Sequence, residues 1–186
     1  MQEVNNILKI LKGTREAFRK GDAQTLKELS SQTINTASRT QDVDNVTVAV
    51  VVYSLSKIIE GENYKKYAGY KTFYKIVIGS LDHAIKDIEV KNFEDFRRDF
   101  ENIRKEVGKV SGKLRGYIKE VFRRAQINKA SRIYAHGISL ERTAKLLGIT
   151  MYELAEYAGG TGISDASESK TISARERIKL AQGIFE

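Results

Sequence analysis

Lysine and arginine side chains, which can bind phosphate groups, are concentrated in one part of this chain. Between Arg104 and Arg132 the sequence has ten basic residues and two acidic ones, Glu106 and Glu120, a local net charge of +8. The remainder of the chain is formally neutral, because the whole sequence carries a net charge of +8. A localised excess of cations is typical of proteins that bind a polyanion, so this segment predicts a polyanionic partner.

Six basic side chains of this segment fall on one side of a predicted helix. At 100° per residue, apolar residues from Ile103 to Ala125 share one face, and the opposite face carries Lys105, Lys109, Lys113, Arg115, Lys119 and Arg123. We expect phosphate contacts from these six residues and from Arg124. Three glycines recur among them at a spacing of four: Gly108, Gly112 and Gly116. Either the missing side chains let phosphate approach the backbone, or the helix bends or breaks here.

Residues 138–158 have the pattern of two short helices joined by a tight turn. Ser139 can cap the first helix, and Gly148 permits the left-handed backbone that a sharp turn requires. Thr150 and Glu153 form a capping box that starts the second helix. The apolar residues expected to face inward are Leu140, Ala144, Leu147, Leu154 and Tyr157.

This pattern resembles the helix-turn-helix of DNA-binding proteins, in which a small residue is followed by glycine four positions later and then by an apolar residue. Three residues occupy these positions: Ala144, Gly148 and Ile149. The helix pair is similar to small prokaryotic antitoxin-type regulators encoded beside nuclease toxins. The resemblance is confined to residues 138–158 and implies a DNA-binding regulator of transcription. It places three residues nearest to the base edges: Arg142, Thr150 and Tyr152.

The same resemblance implies that the N-terminal helices bind a protein partner or a second copy of the chain. Two features differ from the family pattern. Thr143 stands where the family usually carries an apolar residue, and the second helix contains Glu153 and Glu156 without any lysine or arginine. The alternative is a non-enzymatic helical adaptor that binds an acidic protein partner or RNA. Since carboxylates repel a phosphate backbone, Glu153 and Glu156 favour the protein partner.

We predict no enzymatic activity, no cofactor and no metal site. The chain has no cysteine and only two histidines, His83 and His136, which are too separated for a metal-binding or catalytic motif. The absence of cysteine suits a reducing cytoplasm. No apolar run is long enough to span a bilayer, so we expect a cytoplasmic protein that does not bind membranes.

The absence of proline and the spacing of the apolar residues predict an all-α fold. We expect an N-terminal helical domain at 1–91, a long basic connecting helix at 92–136 and a helix-turn-helix-like domain at 137–186. Within the last of these, a capping box at Ser173 and Glu176 predicts a final helix.

Helix boundaries within the N-terminal domain follow from turn and cap signals. The first helix is expected to end near Gly21, and the second to span roughly Ala23 to Arg39. The segment from Asp44 to Glu60 is rich in β-branched residues, but a β-strand there would need partner strands. We therefore predict a buried central helix over this segment. A further helix is expected over about 71–91.

A run of aromatic residues interleaved with lysines connects the predicted central helix to the helix expected over about 71–91. The last residues of the run fall within that second helix. The aromatic residues are Tyr64, Tyr67, Tyr70, Phe73 and Tyr74, and the lysines are Lys65, Lys66, Lys71 and Lys75. Two interpretations are open. The rings pack on the edge of the core with their hydroxyl groups in water, or they stack on nucleobases over a basic surface.

Overall fold

The computed structural model describes residues 1–61, 64–107 and 112–160, and this part of the chain is helical without any β-strand. A short 3-10 helix lies at Tyr64–Lys66. The α-helices are α1 (Val4–Lys20), α2 (Ala23–Thr40), α3 (Val43–Glu60), α4 (Tyr70–Glu89), α5 (Phe93–Val107), α6 (Gly112–Ala135), α7 (Leu140–Leu147) and α8 (Met151–Gly160). The all-α prediction is confirmed, whereas the predicted helix after Ser173 lies outside the described residues.

The first helices begin and end at the predicted signals. Gly21 ends α1 in the left-handed conformation, with φ of 71°. Asp22 then caps α2 by accepting a hydrogen bond from the backbone N–H of Thr25 at 2.9 Å, and Asp42 caps α3 through the N–H of Asp44 at 2.8 Å.

The valine-rich helix α3 occupies the centre of the molecule. Its side chains are buried on several sides, with Val48, Val52 and Leu55 at 0 % exposure. It packs against α2, α6, α1, α5 and α7. The prediction of a buried central helix is therefore confirmed, and its β-branched residues are accommodated because neighbouring helices surround it.

Two apolar cores lie along α3 and α6. The first, which we call the bundle core, contains side chains of α1 to α6, including Phe73, Phe100 and Ile118. The second core joins the ends of α2 and α3 to the C-terminal half of α6, α7 and α8, with Ile133 and Leu154 fully buried. The helix pair α7–α8 thus shares a core with the N-terminal helices. The domain boundaries at 91 and 136 stay predictions.

The predicted long helix over 92–136 corresponds to two described helices, α5 and α6. Residues 108–111, between these helices, lie outside the described part of the chain, so the prediction of one long helix stays a prediction. The predicted apolar face is confirmed where it is described, since Ile103, Leu114 and Ile118 are buried. Helix α5 packs mainly on α4, and α6 mainly on α3.

The aromatic run packs at the edge of the bundle core. The rings of Tyr67, Tyr70 and Tyr74 are half-buried against it, and Phe73 is fully buried. Packing at the edge of the core is thus confirmed for these four residues, whereas stacking on nucleobases stays a prediction. Among the described helices, none combines the length and the apolar character needed to cross a membrane.

Candidate nucleic-acid interface

The turn between α7 and α8 has the geometry that its sequence predicts. Ser139 accepts a hydrogen bond from the backbone N–H of Arg142 at 3.3 Å and so caps α7. Gly148 ends α7 with φ of 64°, and the next N–H, that of Ile149, donates to the carbonyl oxygen of Ala144 at 3.1 Å. Because this conformation costs a residue with a Cβ atom about 1–2 kcal/mol, glycine suits this position.

Helix α8 begins with a reciprocal capping box. The N–H of Thr150 donates to the Glu153 carboxylate at 2.9 Å, and the N–H of Glu153 donates to the Thr150 hydroxyl oxygen at 3.2 Å. The predicted box is confirmed. The carboxylate of Glu153 therefore has a structural role at the N-terminus of α8. This role depends on its position three residues after Thr150 and not only on its charge.

The helix pair is held against α6 by apolar packing and two polar contacts. Ala144 and Leu154 are buried in the second core, as predicted. From α6, the amide of Gln126 donates to the carbonyl oxygen of Leu147 at 3.2 Å, and that of Asn128 donates to the Tyr157 hydroxyl at 3.4 Å. These contacts give α6, α7 and α8 one relative orientation.

Thr143, the polar residue at an apolar position of the family pattern, is fully buried. Its hydroxyl donates to the carbonyl oxygen of Ile138 at 3.5 Å. This local contact offsets part of the cost of burying a hydroxyl group, so the threonine is compatible with tight packing of the helix pair.

Most of the predicted contact residues in the described part of the chain are exposed. Tyr152 is 77 % exposed at the start of α8. The other exposed members of the predicted set are Lys113, Arg115, Lys119, Arg124, Arg142 and Thr150. Lys109 and the Lys105 side chain lie outside the described residues, so their predicted roles stay predictions.

Three basic residues form a row along α6 that ends at α8. Arg115, Lys119 and Arg123 are spaced by four and therefore share one face, which we call the basic row. At its end, Arg123 forms an ion pair with Glu153 in the first turn of α8. The row thus leads to the exposed Thr150 and Tyr152.

The ion pair between α6 and α8 does not follow from the sequence, which predicts a phosphate contact for Arg123 and repulsion of phosphate by Glu153. The structure brings the two charges together, so neither is isolated. A further basic residue, Arg124, donates from Nε to the Glu120 carboxylate at 2.6 Å while its side chain remains 79 % exposed. The charge density of α6 is lower than its count of cations indicates.

Two other features of this surface bear on the prediction. Met151 is 50 % exposed beside Tyr152, although the sequence does not predict it as a contact residue. Its position one turn before the inward-facing Leu154 indicates burial, so the spacing of apolar residues does not predict this exposure. Gly116 is also exposed, and a Cβ atom there would meet no atom within 4 Å. Both interpretations of the glycine spacing stay open.

The described residues contain no group of histidine, aspartate and glutamate side chains arranged to hold a metal ion. The predicted contact residues in the described part of the chain present cationic side chains, the Thr150 hydroxyl and the exposed phenol of Tyr152. Comparison of the chain with protein families, with curated proteins and with solved structures finds no match.

Proposed function

We propose that this protein binds double-stranded DNA as a transcriptional or antitoxin-type regulator, with α6 and the helix pair α7–α8 contacting one duplex. The observation that carries the proposal is the basic row of α6, which ends by ion pairing at the start of α8. This ion pair places Arg123 of α6 beside the start of α8, where Thr150 and Tyr152 are exposed.

The basic row supports the phosphate contacts in this proposal. Arg115 and Arg123 are separated by about 12 Å along the helix axis, at 1.5 Å per residue. Arg115 and Lys119 are exposed, so both can reach phosphate oxygens. The positive end of the α8 dipole lies beside Arg123 and adds to the attraction for anions.

The start of α8 and the exposed side of α7 supply the proposed base contacts. Arg142 suits guanine in the major groove, because its guanidinium can donate two parallel hydrogen bonds. The Tyr152 hydroxyl is a shorter-range donor and acceptor. The Thr150 hydroxyl donates to the Glu153 carboxylate at 2.7 Å and accepts from the Glu153 N–H, so it offers a base only its remaining lone pair as an acceptor. The carboxylate of Glu153 is held by Thr150 and Arg123, which lowers its repulsion of the duplex.

A second candidate function is an adaptor that binds an acidic protein or RNA. The α8 surface favours a protein partner, because Met151, Tyr152 and Glu156 are exposed without any cation on that helix, and the exposed cations of α6 suit acidic groups of that partner. Apolar and aromatic residues of this kind are common at the centres of protein interfaces.

Titration of a labelled DNA duplex with the purified protein, read by fluorescence anisotropy, tests the proposal. With about six phosphate contacts, affinity should fall by roughly 10³-fold between about 50 and 200 mM salt. Tyr152→Ala and Arg142→Ala should each weaken binding to a preferred site by about 1–3 kcal/mol without loss of folding. Unchanged DNA affinity in both variants, or affinity independent of salt, would favour the adaptor.

A further inference from the structure

A second cationic surface lies away from α6, in a cleft between the end of α1 and the start of α4. The cleft has a volume of about 420 Å³, within the range of about 300–1,000 Å³ that is usual for small-ligand sites. Five cationic residues line it: Arg19, Lys20, Lys65, Lys71 and Lys75. No carboxylate is among the lining residues. A cleft lined by several cations and by no carboxylate favours an anion with several charges.

Two lysines near the start of α4 contribute cations to the cleft. Lys71 and Lys75, one helical turn apart on one face, are both exposed, and neither forms an ion pair within the described part of the chain. By contrast, Arg19 is shared with Glu16 at 3.6 Å and with Asp82 at 3.7 Å. Two neighbouring ammonium groups that repel each other are stabilised when phosphate oxygens lie between them.

Aromatic rings form the wall of the same cleft. Tyr74 stacks on the buried Phe18, with ring centroids 5.4 Å apart and an angle of 18° between planes. Tyr70 lies against Tyr74 at 6.2 Å, and both tyrosines are half-buried and line the cleft. Since Phe18 and the bundle core hold Tyr74 in place, the wall is formed before any ligand binds. A rigid aromatic surface beside cations suits a planar heterocycle that carries phosphate.

We propose that the cleft between α1 and α4 binds a nucleoside polyphosphate, with the phosphates on Lys71, Lys75 and Lys20 and the base against Tyr70 and Tyr74. The cations surround one cleft instead of following a helix, so a single nucleotide fits better than a nucleic-acid strand. The site uses helices other than those of the proposed DNA interface, and it does not depend on that function.

Isothermal titration calorimetry of the full chain with ATP, in the absence of DNA, tests this proposal. We expect ATP to bind, and both inorganic triphosphate and adenosine to bind at least 10-fold more weakly, because triphosphate lacks the ring contacts and adenosine lacks the phosphate contacts. The double variant Lys71→Glu/Lys75→Glu should raise the Kd for ATP by more than 10-fold. Lys71→Gln/Lys75→Gln should give a smaller loss in the same direction and covers the case in which the reversed charges disturb folding.

A control variant, Lys9→Glu/Lys86→Glu, makes the same change in net charge at exposed positions that do not line the cleft. It should retain the wild-type Kd for ATP. The proposal is overturned if ATP does not bind, if triphosphate binds as tightly as ATP, or if the control loses as much affinity as the cleft variant. Binding of a single-stranded oligonucleotide without binding of ATP would likewise overturn it. DNA affinity is measured separately, so failure here leaves the proposed function untouched.

Discussion

Lys129 is an ionisable residue in the interior of the protein, and the free energy that burial of its charge costs can be measured. Its side chain is fully buried, and Nζ makes no hydrogen bond within the described residues. Nζ lies 4.0 Å from the centroid of the Tyr53 ring, which offers a cation–π contact. Burial, followed by repulsion from Arg132 and Lys57, lowers the pKa of Lys129 from 10.5 to about 7.

This pKa shift predicts a stability that rises with pH. Below pH 7 both the folded and the unfolded chain hold the proton, so the cost of the buried charge is fully present. Between about pH 7 and 10.5 only the unfolded chain holds it, and the free energy of unfolding should therefore increase, by up to about 1.36 kcal/mol per pH unit. Neutral Lys129 is tolerated because its stem packs with the apolar core.

The variant Lys129→Met should be more stable than the wild type at pH 6.5 and below by at least about 1 kcal/mol, because it keeps the packing and removes the charge. The difference should shrink as pH rises towards 9.5. Urea denaturation at a series of pH values measures it. Lys119→Met, at an exposed position of the same helix, is the control and should follow the wild-type pH dependence. A Lys129→Met profile parallel to the wild-type one would contradict this account.

At the scale of the helices, substitution of two glycines in the helix pair distinguishes the effect of backbone strain from the effect of side-chain packing. Around both Gly148 and Gly159 a Cβ atom would meet no atom within 4 Å, so added bulk has no effect at either site. Only Gly148 has a positive φ, of 64°, whereas Gly159 lies within α8.

Gly148→Ala should therefore lower the free energy of unfolding by about 1 kcal/mol, and Gly159→Ala should leave it unchanged or raise it by up to about 1 kcal/mol. Thermal denaturation of the two variants side by side measures the contrast. Equal stability of the two variants would show that Gly148 is not required for the turn between α7 and α8.

Helix ends were predictable because their signals are local. The caps at Asp22, Asp42 and Ser139 and the box at Thr150 each close a hydrogen bond within three residues. A short window of sequence therefore contains all the atoms involved. The buried character of α3 was predictable for a related reason, since an apolar helix without a polar face must be surrounded.

The environment of individual charges was not predictable, because it depends on how α6 crosses other helices. Arg123 and Glu153 are 30 positions apart, and only the packing of α8 on α6 brings them together. Lys129 belongs to the basic segment by sequence, yet the second half of α6 is enclosed by α2, α3 and the helix pair. Its burial follows from tertiary packing that no spacing of charges encodes.

At the scale of the whole molecule, α3 and α6 connect the two cores. Both helices contribute side chains to the bundle core and to the second core, so α7 and α8 are tied to the N-terminal helices by shared packing. A DNA-contacting surface on α6, α7 and α8 would therefore be held in one shape, which favours recognition with little loss of conformational freedom on binding.

The most direct test of the proposed interface is the salt dependence of DNA affinity in charge-reversal variants, read by fluorescence anisotropy. Arg115→Glu/Lys119→Glu removes two exposed cations of the basic row, and Lys9→Glu/Lys86→Glu makes the same change in net charge on α1 and α4. We expect the first variant to bind more weakly and its slope of log K against log salt to be smaller in magnitude by about 1.8, because each lost phosphate contact removes about 0.9. The second variant should keep the wild-type slope. Equal losses in the two variants, or a wild-type slope in the first, would contradict an interface centred on α6 and α8.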